Sequence, residues 1–156
     1  MNVRLSSPII AGMIAVACAP TNQPRQAPVP VEVKKRTELD LIPECYRGYW
    51  GMTAGDGQPL PYPYLHYDLS LPEKPAECAL LRDKGISRGV LAKGATVQLE
   101  SDTVLIRFDR DNLLQLALHL PRSPEHGASV KGHVTISHQD TIELDCDIFL
   151  EPRPRP

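Results

Sequence analysis

Residues 103–120 read TVLIRFDRDNLLQLALHL, two alternating runs on either side of a polar break. Val104, Ile106 and Phe108 share one side of the first run, and Leu114, Leu116, Leu118 and Leu120 share one side of the second. Successive side chains of an extended chain point to opposite faces, so this period of two gives a strand with one apolar face. Asp109-Arg110-Asp111-Asn112 has turn chemistry, with short polar side chains that bond their own backbone. The stretch therefore predicts a β-hairpin buried on one side.

The same pattern continues outward from the hairpin. Upstream, TVQL at 96–99 alternates Val97 and Leu99 with polar neighbours before a turn at Ser101-Asp102. Downstream, the loop PRSPEHGA leads into 129–137, which sets Val130, Val134 and Ile136 inward. His138-Gln139-Asp140 turns the chain into TIELDCDIFL at 141–150, where Ile142, Leu144, Cys146, Ile148 and Leu150 share a face. Five short strands with tight connections make an antiparallel meander. Glu143, Asp145 and Asp147 fall on the opposite, outer face of the last strand, where charges also deter edge-to-edge pairing.

The earlier half is less regular. YRGYWGM at 46–52 and YLHYDLSL at 64–71 read as strands, separated by TAGDGQPLPYP. PEKPAECALLRDKG at 72–85, with Pro75 early and Gly85 at its end, predicts a short helix of two to three turns. Few helices and seven or eight strands make an all-β domain over 39–151, an antiparallel barrel or sandwich with one short helix. The tail at 152–156 is expected to be disordered.

The chain begins MNVRLSSPIIAGMIAVACAP, with Arg4 as the only charge before Cys18. The apolar run of Pro8 to Ala17 is about half the roughly 20 residues needed to span a bilayer, so it reads as an export signal over 1–17. Ala15-Val16-Ala17-Cys18 resembles the lipobox of bacterial lipoproteins. The resemblance implies cleavage before Cys18, lipidation of its thiol and, with Ala19 rather than Asp next, sorting to the outer membrane. It covers only this leader. Acyl chains contribute about 0.8 kcal/mol per buried CH₂, so two or three of them hold a protein on a membrane.

Residues 18–38 then form a linker in which Pro20, Pro24, Pro28 and Pro30 replace apolar periodicity. Extended at 3.1 Å per residue it would reach roughly 60 Å and hold the domain off the membrane. The domain is expected in the periplasm.

Full-length formal charge is −2, and losing Arg4 with the leader gives −2 − 1 = −3. No basic run exceeds Lys34-Lys35-Arg36, which argues against nucleic acid as a partner. Export places the domain where thiols usually pair. With Cys18 lipidated, Cys45, Cys78 and Cys146 remain, so one bridge and one leftover thiol are expected. A Cys45–Cys146 bridge closes about 100 residues, worth up to roughly 4.7 kcal/mol, and a Cys45–Cys78 bridge about 33 residues, worth roughly 3.7 kcal/mol.

All five tyrosines and the single tryptophan lie between Tyr46 and Tyr67. Rings with a polar handle suit binding surfaces, so Tyr62, Tyr64, Tyr49 and Trp50 are the candidate binding residues. Trp50 and Tyr67 also suit hairpin packing, whereas Tyr62 and Tyr64 sit in a proline-stiffened loop that presents them at small entropy cost. Gly48-Tyr49-Trp50 resembles the Gly-x-Trp of lipocalins and small inhibitor barrels, a resemblance that implies an antiparallel barrel. His119 and His133 lie on outward faces of one hairpin with His126 in its loop, but no carboxylate or cysteine completes a metal set.

No nucleophile elbow, Cys-x-x-Cys or phosphate-cradling loop occurs. No catalytic residue and no cofactor is expected. The sequence predicts a non-enzymatic domain, tethered to the membrane by lipid, that binds an envelope protein or polymer. The alternative is a lipocalin-like barrel holding a small ligand.

Overall fold

The computed structural model describes residues 36–83, 88–125 and 128–155. The leader, Cys18, residues 19–35 and His126 lie outside the described residues. Ten strands follow one another: β1 (Thr37–Glu38), β2 (Gly48–Ala54), β3 (Tyr67–Leu71), β4 (Ala79–Asp83), β5 (Arg88–Lys93), β6 (Thr96–Glu100), β7 (Thr103–Arg110), β8 (Leu114–Pro121), β9 (Val130–His138) and β10 (Thr141–Arg153). Three-residue 3₁₀ turns at Glu44–Tyr46 and Pro75–Glu77 are the helical elements among the described residues. The fold is all-β, as the sequence predicts.

The strands form one antiparallel sheet in the order β1-β6-β7-β8-β9-β10-β2-β3-β4-β5. Neighbours from β6 round to β5 alternate in direction, so β5 and β6 run the same way although they lie far apart in this order. Only Gly94-Ala95 separates them, with Gly94 at φ +82°, a conformation that favours glycine. Residues 88–100 are thus one bent strand whose first half pairs with β4 and whose second half pairs with β7. The sheet curls so that this strand joins its two ends. Gln139 and Asp140 both have positive φ and form a two-residue turn between β9 and β10, matching the expected turn there.

The concave face holds the core. Val104, Ile106, Phe108, Leu114, Leu116, Leu118, Leu120, Val130, Val134, Ile136, Ile148 and Leu150 are all buried, the alternation read from the sequence. The β2–β4 side adds Trp50, Met52, Tyr67, Leu69 and Leu80 to the same cluster. Residues 39–46 close one end of the curl. Leu39 donates its N–H to Val97 (2.9 Å), Ile42 donates to Glu73 (2.9 Å), and the Tyr46 hydroxyl donates to the Pro121 carbonyl.

Four expectations need correction. The helix over 72–85 is one 3₁₀ turn followed by β4, because β3 offers a pairing edge (Leu69 opposite Leu80) that outweighs the weak preference of so short a helix. Ile142 is 63% exposed: a register shift between Ile142 and Leu144 moves it off the inward face. Thr37 and Glu38, assigned to the linker, pair with Leu99 and Gln98. Pro152 and Arg153, assigned to the tail, pair with Trp50 and Tyr49. Pro152 is tolerated because β9 stops pairing at Leu150, leaving that end of β10 one neighbour.

Candidate functional site

The aromatic segment divides into five buried rings and one exposed ring. Tyr46 is fully buried, and its carbonyl accepts the Trp50 indole N–H at 2.8 Å. Trp50 points inward from β2. Tyr49, on the outer face of that strand, is also buried and donates its hydroxyl to Asp68 (3.1 Å). Asp68 is only 1% exposed and pairs with Arg153 at 3.1 Å. Gly51 permits this, since a Cβ there would sit 2.2 Å from Arg153 Nε. The guanidinium lies across β2 in the space that any other residue would fill, and it ties the C-terminal strand to β3. The pattern gave no hint of this network, because a lone Asp inside YDLSL reads as an ordinary outward position.

Tyr64 is buried, its ring edge-on to Tyr67 at 5.4 Å between centroids and stacked on His138 at 6.5 Å. Its hydroxyl donates to Glu143 Oε2, which also meets His138 Nδ1 at 2.8 Å. Burial, and then the bond to Glu143, push the Tyr64 hydroxyl well above its ordinary range. Glu143 is held below the usual carboxylate range, chiefly by that hydrogen bond and then by His138. Tyr62, two residues earlier, is 81% exposed.

The loop that carries Tyr62 is fixed at both ends. Ala54 donates to Gln58 and Gly57 to Ala54, each at 2.8 Å, Leu60 is fully buried, and the Tyr64 N–H donates to Pro61 at 2.8 Å. Arg82 reaches the Pro63 carbonyl at 3.4 Å, and Leu65 beside it is 37% exposed. Of the candidate binding residues, only Tyr62 is presented to solvent. Tyr49, Trp50 and Tyr64 are structural here, since each sends its polar atom to an internal partner.

The three cysteines among the described residues, Cys45, Cys78 and Cys146, are free thiols, so the bridge expected among them is absent. Each belongs to a different element: Cys45 to the first 3₁₀ turn, Cys78 to the residue before β4, and Cys146 to β10. Cys78 is fully buried and points its thiol at the Lys74 carbonyl (3.8 Å), and burial pushes it up to about 11. Burial also raises the Cys45 and Cys146 thiols. Thiols held in the neutral form are slow nucleophiles.

On the outer face of β8–β10 the acidic row meets the histidines. His133 Nε2 lies 2.7 Å from Asp145, its Nδ1 lies 3.1 Å from Asp147, and Lys131 pairs with Asp147 at 3.5 Å. The carboxylates thought missing beside His133 come from the next strand, a juxtaposition set by register alone. Grooves of about 360, 400 and 440 Å³ open on the surface. The first is lined by Leu41, Ile42, Arg47, Leu99 and Arg122. No family model, curated protein or solved structure matches this chain.

Proposed function

We propose that this chain is an exported lipoprotein, held through Cys18 in the outer membrane. Its β domain binds another envelope component, a protein or a polymer, without catalysing a reaction. The observation that carries the binding reading is Tyr62: a large ring left 81% exposed on a loop fixed by buried Leu60 and Tyr64. An aromatic held this way brings contact area to an interface at small ordering cost. The leader and the lipobox resemblance support the anchor.

A photo-crosslinking residue at position 62, in cells carrying the full chain, tests the reading. Capture of one reproducible envelope component, lost from pull-downs of Tyr62→Ala, is the expected result. Capture of nothing above background in both experiments overturns it. For the anchor, Cys18→Ser should leave the membrane fraction and stop taking up labelled palmitate.

A second reading, a small-ligand carrier, draws support from the strand order, in which one bent strand joins the two ends of the sheet. Against it, Trp50, Met52, Tyr67 and Phe108 fill the concave face with side chains. Native mass spectrometry of gently purified protein separates the two, since a carrier retains a bound small molecule.

A further inference from the structure

The outer face of β8–β10 carries a group of side chains that the Tyr62 surface does not use. His119 on β8 is the register partner of His133 on β9, and His133 is in turn the partner of Asp147 on β10. Directly opposed residues on antiparallel strands have Cβ atoms about 4.5–5.5 Å apart, within reach of a shared ligand. Asp145 is the third member, 2.7 Å from His133 Nε2 and fixed by the Thr135 hydroxyl, which donates to it at 2.8 Å.

At His133 a carboxylate lies within hydrogen-bond distance of Nδ1, whereas at His119 one lies only within ion-pair distance. Asp147 lies 3.1 Å from His133 Nδ1, and Glu100 lies 4.0 Å from His119 Nδ1. Glu100 is itself held by Arg36 at 2.9 Å. Carboxylates at Nδ1 orient the ring and raise the basicity of Nε2, an arrangement that recurs behind metal-bound histidines. Because His119 opposes His133 and Asp145 touches His133, the three residues occupy adjoining positions on one face of three neighbouring strands.

As the side chains stand, no three ligating groups among the described residues surround one point. A shared site therefore requires the His119 imidazole, whose side chain is 39% exposed, to turn from Glu100 toward Asp145. We propose that His119, His133 and Asp145 bind a divalent transition-metal ion of the zinc or copper class, with Asp147 as a positioning residue that orients His133. Two imidazoles and a carboxylate suit such ions, and water fills the remaining positions. Ligation uses the lone pair of His133 Nε2, so any proton on that nitrogen leaves to solvent when the ion binds.

The test is titration of the full-length protein with zinc chloride, and separately with copper(II), by calorimetry and amide NMR. One ion per chain is expected, with shifts centred on β8, β9 and β10. His119→Ala and His133→Ala should each weaken uptake at least tenfold, Asp147→Asn by about 10–100-fold, and His66→Ala should leave it unchanged. His119→Gln replaces the alanine variant if that variant unfolds. Absence of saturable one-to-one uptake of either ion, or uptake that the His119 variants leave unaltered, overturns the proposal.

Discussion

The β7–β8 hairpin and the segment from residue 39 to residue 67 both supply core, by different routes. The hairpin buries Val104, Ile106, Phe108 and four leucines by strict alternation, and each position follows from its neighbours. The earlier segment buries Ile42, Tyr46, Trp50, Leu60 and Tyr64 from a turn, a strand and a loop that have no common period. Its rings are placed by what they close off. Tyr46 reaches β8 at Pro121, and Tyr64 reaches β10 at Glu143. A cluster of aromatic residues with polar handles is therefore not in itself a recognition surface. The polar atom decides: where it finds an internal partner the ring becomes structural, and where it does not, as at Tyr62, the ring stays in water.

The sharpest way to break that comparison is to truncate one large side chain from each route. Trp50→Ala should cost about 3–5 kcal/mol and Leu118→Ala about 2–5 kcal/mol, both read as shifts in urea midpoint. A Trp50 loss well below 1 kcal/mol would mean that the early segment is peripheral and that only the meander forms the core.

Next in size is Tyr64→Phe, which removes one hydroxyl bond and should cost about 1 kcal/mol. The pH dependence sharpens this. Glu143 is held below its ordinary value in the folded state, so its contribution is fully present above about pH 4.5 and is lost as pH falls through the folded value. Glu143→Gln should flatten that acid limb, and a slope unchanged from wild type would show that the Tyr64–Glu143 contact is idle. The smallest effect is expected at Tyr62→Ala, within about 0.5 kcal/mol of wild type, because the exposed ring holds nothing in place. A larger loss would move Tyr62 from the presented class to the structural one.

The five strands of the meander were legible because one face is buried and a one-residue slip would expose all of its apolar residues. The errors cluster where a neighbour overrode a local preference. Leu80, in the expected helix, was claimed by Leu69 of β3, and Ile142 was turned outward by the irregularity beside Glu143. Leu105 looks like an outward residue between Val104 and Ile106, yet it is fully buried between its partners Gln98 and His119. The cysteine count suggested a bridge, but pairing depends on the distance between elements, which no count contains.

The candidate site was half legible. A proline-stiffened loop that presents Tyr62 follows from composition, whereas Tyr49, Trp50 and Tyr64 were assigned to a surface from which they are absent. The same limit hid the neighbours of His133: residues 12 and 14 positions away became adjacent only when β9 and β10 paired in one particular register.

By itself the sequence determined the strand class, the turns and the inward face of β6–β9, because period, turn residues and burial are properties of a few consecutive residues. The tertiary structure decided how β5 and β6 merge into one bent strand, which tyrosines remain in water, and which carboxylates meet His133. Those outcomes depend on register and closure, where one residue of shift moves every side chain to the other face.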